Sequence, residues 1–439
     1  MNSAIAPAAV SLAEAFRYWL KLGFISFGGP AGQIALMHAE LVERRRWISE
    51  RRFLHALNYC MLLPGPEATQ LAIYIGWLMH KTRGGIIAGV LFVLPSLLIL
   101  IGLSWIYLVW GTLPAIAAIM AGIKPAIVAI VLAAAWRIGR RTLKNGALVA
   151  IAAAALLAIA VFDVPFPLVV LGAAAIGALG ARRWPHRFQL GGAHPASDTS
   201  YGAALIDDDT PTPAHARFTW PRLARVVLFG CAIALAAWLL LAARYGAAHA
   251  LTQMAWFFSK AALMTFGGAY AVLPYIYQGA VEHYHWLSGA QMIDGLALGE
   301  TTPGPLIMIV AFVGFVGAAT SGGAAALLLG AAGAAVATFF TFLPSFVFIL
   351  AGGPLVESTR GDLRMTAPLT AISAAVVGVI VSLALFFGQH VFFAAGRLDP
   401  AALAIAVAAA VALLRFQVGS IKLILACALC GLVISYWHG

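Results

Sequence analysis

Apolar segments long enough to cross a lipid bilayer recur along this chain with very little charge inside them, and that sets the solvent in which the backbone must fold. Such segments lie near residues 85–108, 113–136, 146–162, 165–181 and 222–243. A helix needs about 17 to 25 residues of this kind to traverse the hydrocarbon core. Lipid offers the backbone no hydrogen-bonding partner, so only helices or a closed barrel can span it, and a barrel would show alternating segments of about ten residues. No such alternation occurs, so the expectation is an all-α polytopic membrane protein. Composition agrees, with 62% hydrophobic residues, 10% charged residues and a mean hydropathy of +0.94.

The opening MNSAIAPAAVSLAEAF lacks a basic leader, a compact apolar stretch and a small-residue cleavage site, so the first helices are expected to insert themselves. Cys60, Cys231, Cys427 and Cys430 all fall in apolar stretches and are expected to pack as small hydrophobes. The net charge of +11 would suggest nucleic acid in a soluble protein. Here Lys and Arg gather in short loops between apolar segments, where they orient a membrane protein, so no nucleic-acid partner is expected.

Residues 21–72 align without a gap on residues 260–311, at a constant shift of 239. Lys21 meets Lys260, Phe27-Gly28-Gly29 meets Phe266-Gly267-Gly268, and Val42, Glu43, Trp47 and Ser49 meet Val281, Glu282, Trp286 and Ser288. Pro64-Gly65-Pro66 meets Pro303-Gly304-Pro305, and after a ten-residue insertion Leu94-Pro95-Ser96 meets Leu343-Pro344-Ser345. Chance apolar similarity would not hold Gly, Pro, Lys, Glu and Trp in register. The expected organisation is a first repeat over 8–181, a flexible cytoplasmic linker over 182–220, an extra helix over 221–244 and a second repeat over 247–437. The linker is rich in Pro, Gly, Asp and His, and its His186, His194 and His215 are too irregularly spaced to suggest a metal site.

The first two apolar segments of each half are interrupted at the Gly-Gly and Pro-Gly-Pro motifs. Proline lacks an N–H and restricts its neighbour, so such a break leaves backbone groups unpaired and survives in a membrane only where protein or a watery cavity shelters it. Arg44, Arg45, Arg46, Arg51 and Arg52 follow the first break, and Lys81 and Arg83 the second, so both segments read as re-entrant hairpins returning to the cytoplasm. The single extra helix reverses the polarity of the second half, whose corresponding loops lack Lys and Arg. An inverted-topology repeat with broken helices is the pattern of secondary transporters.

The breaks suit an anion, because helices starting beside glycine present backbone N–H groups and a positive dipole end. Ser26 and Thr265, at matched positions, and Thr301 and Thr302 lie close enough to donate hydrogen bonds, with Gln33, Asn58, Thr69 and Gln70 within a turn or two. Lys21 and Lys260 could neutralise a dianion or snorkel toward the interface, and each hydroxyl could instead bond back to its own helix. Glu67 and Glu300 flank the Pro-Gly-Pro motifs and are the candidates for coupling protonation to transport. No nucleotide loop, zinc motif or activated nucleophile is present, so neither an enzyme nor a cofactor is expected.

At FGGPAGQIALMHAELVERRRW, LLPGPEATQLAIYIGW and VLPS, then FGGAYAVLPYIYQ and TTPGPLIMIVAFVGF, the chain resembles the chromate ion transporter family, in its long-chain two-domain branch. That resemblance implies a multi-pass protein of the bacterial inner membrane that exports chromate, with sulfate as structural mimic, and confers chromate resistance. The family's motifs carry over to Gly28, Gly29, Pro64, Gly65 and Pro66 and to Gly267, Gly268, Pro303, Gly304 and Pro305. An anion channel using the same helix ends is the alternative, and a homodimer is left open.

Overall fold

The structure, a computed structural model, describes residues 7–27, 29–184, 201–211, 213–266, 268–320, 323–358, 366–394 and 397–438. The first half runs through α1 (Leu12–Ile25), α2 (Gly29–His38), α3 (Glu50–Cys60), α4 (Glu67–Trp110), α5 (Pro114–Thr142), α6 (Gly146–Ala160) and α7 (Phe166–Arg183). After α8 (Trp220–Tyr245) come α9 (Ala250–Leu263), α10 (Ala269–Tyr277), α11 (Gly289–Thr301), α12 (Ile309–Ala319), α13 (Ala326–Ser358), α14 (Thr366–Phe392), α15 (Pro400–Leu414) and α16 (Ser420–His438). Among the described residues, seven helices are long and apolar enough to cross a membrane, so this is a multi-pass helical membrane protein.

Backbone irregularities recur at the spacing of the sequence repeat. α2 and α10 each widen into a π-helical turn, Ala39–Arg44 and Gln278–His283. Arg46 and His285 follow with φ of 52° and 53°. Ser49 and Ser288 then cap α3 and α11, each accepting a backbone N–H three residues on. α1 has 14 residues and α2 has 10, so their rise is about 21 and 15 Å, less than a bilayer core.

α4 consists of two helical arms and reverses direction between them at His80 and Lys81, where φ is −129° and 56°. A Cβ on Gly76 would lie 2.5 Å from the Gly84 carbonyl oxygen and one on Gly89 would lie 2.6 Å from Ile73 Cγ1, contacts that only an antiparallel pair can make. Gly314 of α12 and Gly333 of α13 approach each other in the same way. Residues 83–110 of α4 therefore start beside Gly76, pass the second Pro-Gly-Pro at Ser96 and end with Tyr107 on Asp294 of α11. α13 runs the reciprocal course, from Gly314 past Gly65 at Ser345 to Glu357 on Arg52 of α3.

Where the extra helix was expected stands α8 on the outside of the bundle, with almost none of its apolar stretch buried. Two expectations fail. Cys231 and Cys430 are exposed rather than packed, because an apolar face costs nothing toward lipid, whereas Cys60 and Cys427 are buried. The segment expected to be a flexible linker is docked over residues 201–211 and 213–216: Leu205 and Ile206 donate to the carbonyls of Arg46 and Trp47, Ser49 Oγ donates to Asp208, and His215 meets the Trp77 carbonyl. Ile206 and Ala216 are the buried apolar anchors that its polar composition conceals. His186 and His194 lie outside the described residues.

Candidate functional site

Arg45, after α2, pairs with Glu14 at the start of α1 at 3.4 Å, and His80, at the reversal of α4, bonds the Val10 carbonyl at 2.9 Å. The breaks themselves meet in the middle of the molecule, where the halves exchange equivalent bonds. The Gly65 N–H donates to the Thr265 carbonyl at 2.7 Å, and the Gly304 N–H donates to the Ser26 carbonyl at 2.8 Å. Each Pro-Gly-Pro loop is thus held by the residue two positions before the Gly-Gly motif of the other half. Gln33 Nε2 adds a bond to the Gly304 carbonyl, and Gln70 Nε2 one to the Pro64 carbonyl at 2.7 Å.

The glycines divide into two kinds. Gly65 and Gly304 have φ of +125° and +106°, and a Cβ on them would lie 2.5 Å from Ser345 Oγ and 2.7 Å from Ser96 Cβ. They are packing glycines, and their N–H groups bond across the interface. Gly29 and Gly268 have φ of +71° and +100°, but no atom lies within 4 Å of where a Cβ would stand. Gly29 opens α2, Gly268 immediately precedes α10, and both face free space. A pocket lined by Gly29, Gly299, Glu300, Thr302, Gly304, Leu306 and Ser420 lies on the Gly29 side, and Gly268 does not line it. Gly28 and Gly267 lie outside the described residues.

The hydroxyls behave differently from the donor expectation. Ser26 donates to Leu22, Thr265 to Ala261 at 2.8 Å, Thr301 to Leu298 at 2.8 Å and Thr302 to Gly299 at 3.0 Å, all carbonyls of their own helices. Lys21 is exposed on α1, and Lys260 lies 5.5 Å from the Trp256 ring centroid, so neither lines the pocket. Pro303 and Pro305 bracket Gly304 as Pro64 and Pro66 bracket Gly65, with Pro66 and Pro305 as the residues just before the helices that follow. Glu67 occupies the first turn of α4, where a carboxylate suits the dipole. Glu300 accepts from Tyr270.

Sequence reasoning missed two arginines. Arg137 stands within electrostatic range of Glu300 and Tyr270, and Arg141, one turn on in α5, within range of Glu67. Their i, i+4 spacing in α5 places them on one helix face.

A helical membrane bundle broken at its centre, with a small polar pocket at the breaks, defines a transport-type membrane protein. The chain belongs to the chromate transporter family, whose model matches residues 13–178 and 252–432. It is 33% identical over 383 residues to a chromate transport protein of Pseudomonas aeruginosa, covering 85% of this chain and 80% of that one. A chromate transport protein of Cupriavidus metallidurans is 28% identical over 370 residues, 84% of this chain and 81% of its own. An uncharacterized transporter of Methanocaldococcus jannaschii is 25% identical over 382 residues, 87% and 85% of the two chains. No solved structure matches this chain.

Proposed function

We propose that the chain is a secondary transporter that exports chromate, a tetrahedral oxyanion of the sulfate type, across the bacterial inner membrane and so confers chromate resistance. The observation that carries this reading is the pair of matched glycines, Gly29 and Gly268, each with open space beside the start of a short helix. The names of the relatives support chromate as the cargo. In this reading the two halves are inverted across the membrane, with a cytoplasmic N-terminus and with α1–α2 and α3–α4 as re-entrant segments. The first repeat spans 8–181, the linker 182–220, the inverting helix 221–244 and the second repeat 247–437.

The dianion binds between the breaks, against the N-terminus of α2 and the Thr302–Gly304 loop, as the halves rock around it. Arg137 and Arg141 neutralise it from the cytoplasmic side, and Glu67 and Glu300 exchange protons as it moves. Lys21 and Lys260 draw anions toward the two mouths.

Chromate flux in proteoliposomes under imposed pH and sulfate gradients tests this. Saturable flux, competition by sulfate and accumulation in inside-out vesicles are expected. Arg137→Ala or Arg141→Ala should raise KM about tenfold, the loss of one charge-assisted hydrogen bond, with a smaller effect for Lys21→Ala and Lys260→Ala. Glu300→Gln should abolish the response to a pH gradient. Flux that never saturates would make the chain an anion channel instead.

A further inference from the structure

Two cation–carboxylate–tyrosine clusters, one buried and one with its lysine half-buried, join the halves, and the transport reading uses neither. In the first, Arg52 Nη2 of α3 meets Glu357 Oε2 of α13 at 2.6 Å, Tyr74 of α4 donates to the other carboxylate oxygen, and Arg52 Nη1 donates to the Asp207 carbonyl at 3.2 Å. The arginine and glutamate side chains are 6% and 3% exposed. In the second, Lys124 Nζ of α5 meets Asp294 Oδ1 of α11 at 3.2 Å, and Tyr107 of α4 donates to Oδ2 at 2.9 Å. In both clusters the cation and tyrosine belong to the first half and the carboxylate to the second.

The clusters lie on opposite sides of the crossed Pro-Gly-Pro loops. Residues 83–110 of α4 leave the Gly76 end near Arg52, pass Gly304 at Ser96 and reach Asp294 only at Tyr107, about 36 Å of helix away. The pocket at Gly29, Glu300 and Thr302 lies between them. A buried ion pair contributes little net stability, because desolvation offsets its attraction, so stability alone does not explain two of them in a membrane bundle. A pair formed between two bodies does favour the state in which those bodies touch at that end.

We infer that the two clusters are the opposing gates of the transport cycle: Arg52–Glu357–Tyr74 closes the end bearing the basic loops, and Lys124–Asp294–Tyr107 closes the other. Rocking of the halves parts one cluster while the other stays formed, and this structure holds both closed. The inference rests on the carrier reading above.

The test uses the full chain with its four native cysteines replaced and Thr302→Cys as reporter, labelled by a membrane-impermeant thiol reagent in vesicles of each orientation. Arg52→Gln with Glu357→Gln should speed labelling about tenfold from the basic-loop face only, equivalent to about 1.4 kcal/mol in the opening equilibrium. Lys124→Gln with Asp294→Asn should do so from the opposite face only. Tyr74→Phe and Tyr107→Phe, which each delete one hydrogen bond, should shift the same faces by a smaller factor and serve where a charge variant fails to fold. Swapping the charges, Arg52→Glu with Glu357→Arg, should restore slow labelling. Equal acceleration at both faces, acceleration at the wrong face, or no change in any variant overturns the gates. Failure of the carrier reading looks different: the parent protein itself would label from both faces at once and conduct without saturation.

Discussion

Gly304 and Gly29 carry the same kind of backbone to opposite ends. Both have positive φ, which costs another residue about 1–3 kcal/mol, but only Gly304 is also walled in, by Ser96. Gly304→Ala should therefore lower the unfolding temperature of the detergent-solubilised protein and abolish chromate flux, with part of the stability returning on addition of Ser96→Gly. Gly29→Ala should cost only the φ strain and act chiefly on KM, because its methyl group would enter the open space. Equal loss of stability in the two variants would contradict this division. The sequence shows both glycines and their repeat partners, yet not the division, since that depends on Ser96 and Ser345 arriving from the opposite half. The hydroxyls of Ser26, Thr265, Thr301 and Thr302 are legible in the sequence as polar groups near the breaks, whereas their bonding to helix carbonyls is not. The choice is made by local χ1 geometry and not by composition.

At the scale of the element, the reversal inside α4 is the least regular piece of the first half. Lys81 holds φ at 56°, and Gly76 and Gly84 let the two arms touch. Lys81→Gly should stabilise the protein by about 1 kcal/mol through relief of that strain, whereas Gly76→Ala should destabilise it by about 1–3 kcal/mol by forcing the arms apart. Thermal unfolding of the two variants should shift in opposite directions. The reversal was legible as a loop from Lys81 and Arg83, and the caps of α3 and α11 from Ser49 and Ser288. The clusters at Arg52 and Lys124 were not, because their partners lie 305 and 170 residues away and no local pattern records a contact between halves. One signal was present: Lys124 is the only charge inside the apolar segment 113–136.

For the molecule as a whole, the docked part of the linker ties the junction between the halves to the Arg52 end. His215 sits against Trp77 with its pKa below the ordinary histidine range, first because it is partly buried and then because Arg222 and Lys81 repel its charge, against the Trp77 carbonyl and Glu357. A base held neutral by docking stabilises the docked state above its free pKa of about 6.5, and that contribution is lost as pH falls through this value. Proteolysis within residues 201–216 should therefore accelerate between about pH 7.5 and 5.5, and His215→Ala should remove the pH dependence. Unchanged cleavage across that range would contradict the docking account.

The exchanged bonds at the breaks also set a schedule for making the protein. The Gly65 N–H finds its acceptor only at Thr265, 200 residues later, so at about 5–20 residues per second the first loop waits roughly 10–40 s in the membrane before its partner is synthesised. Through that interval the first loop must be sheltered by something other than its final partner, and the speed of translation from Gly65 to Thr265 sets how long.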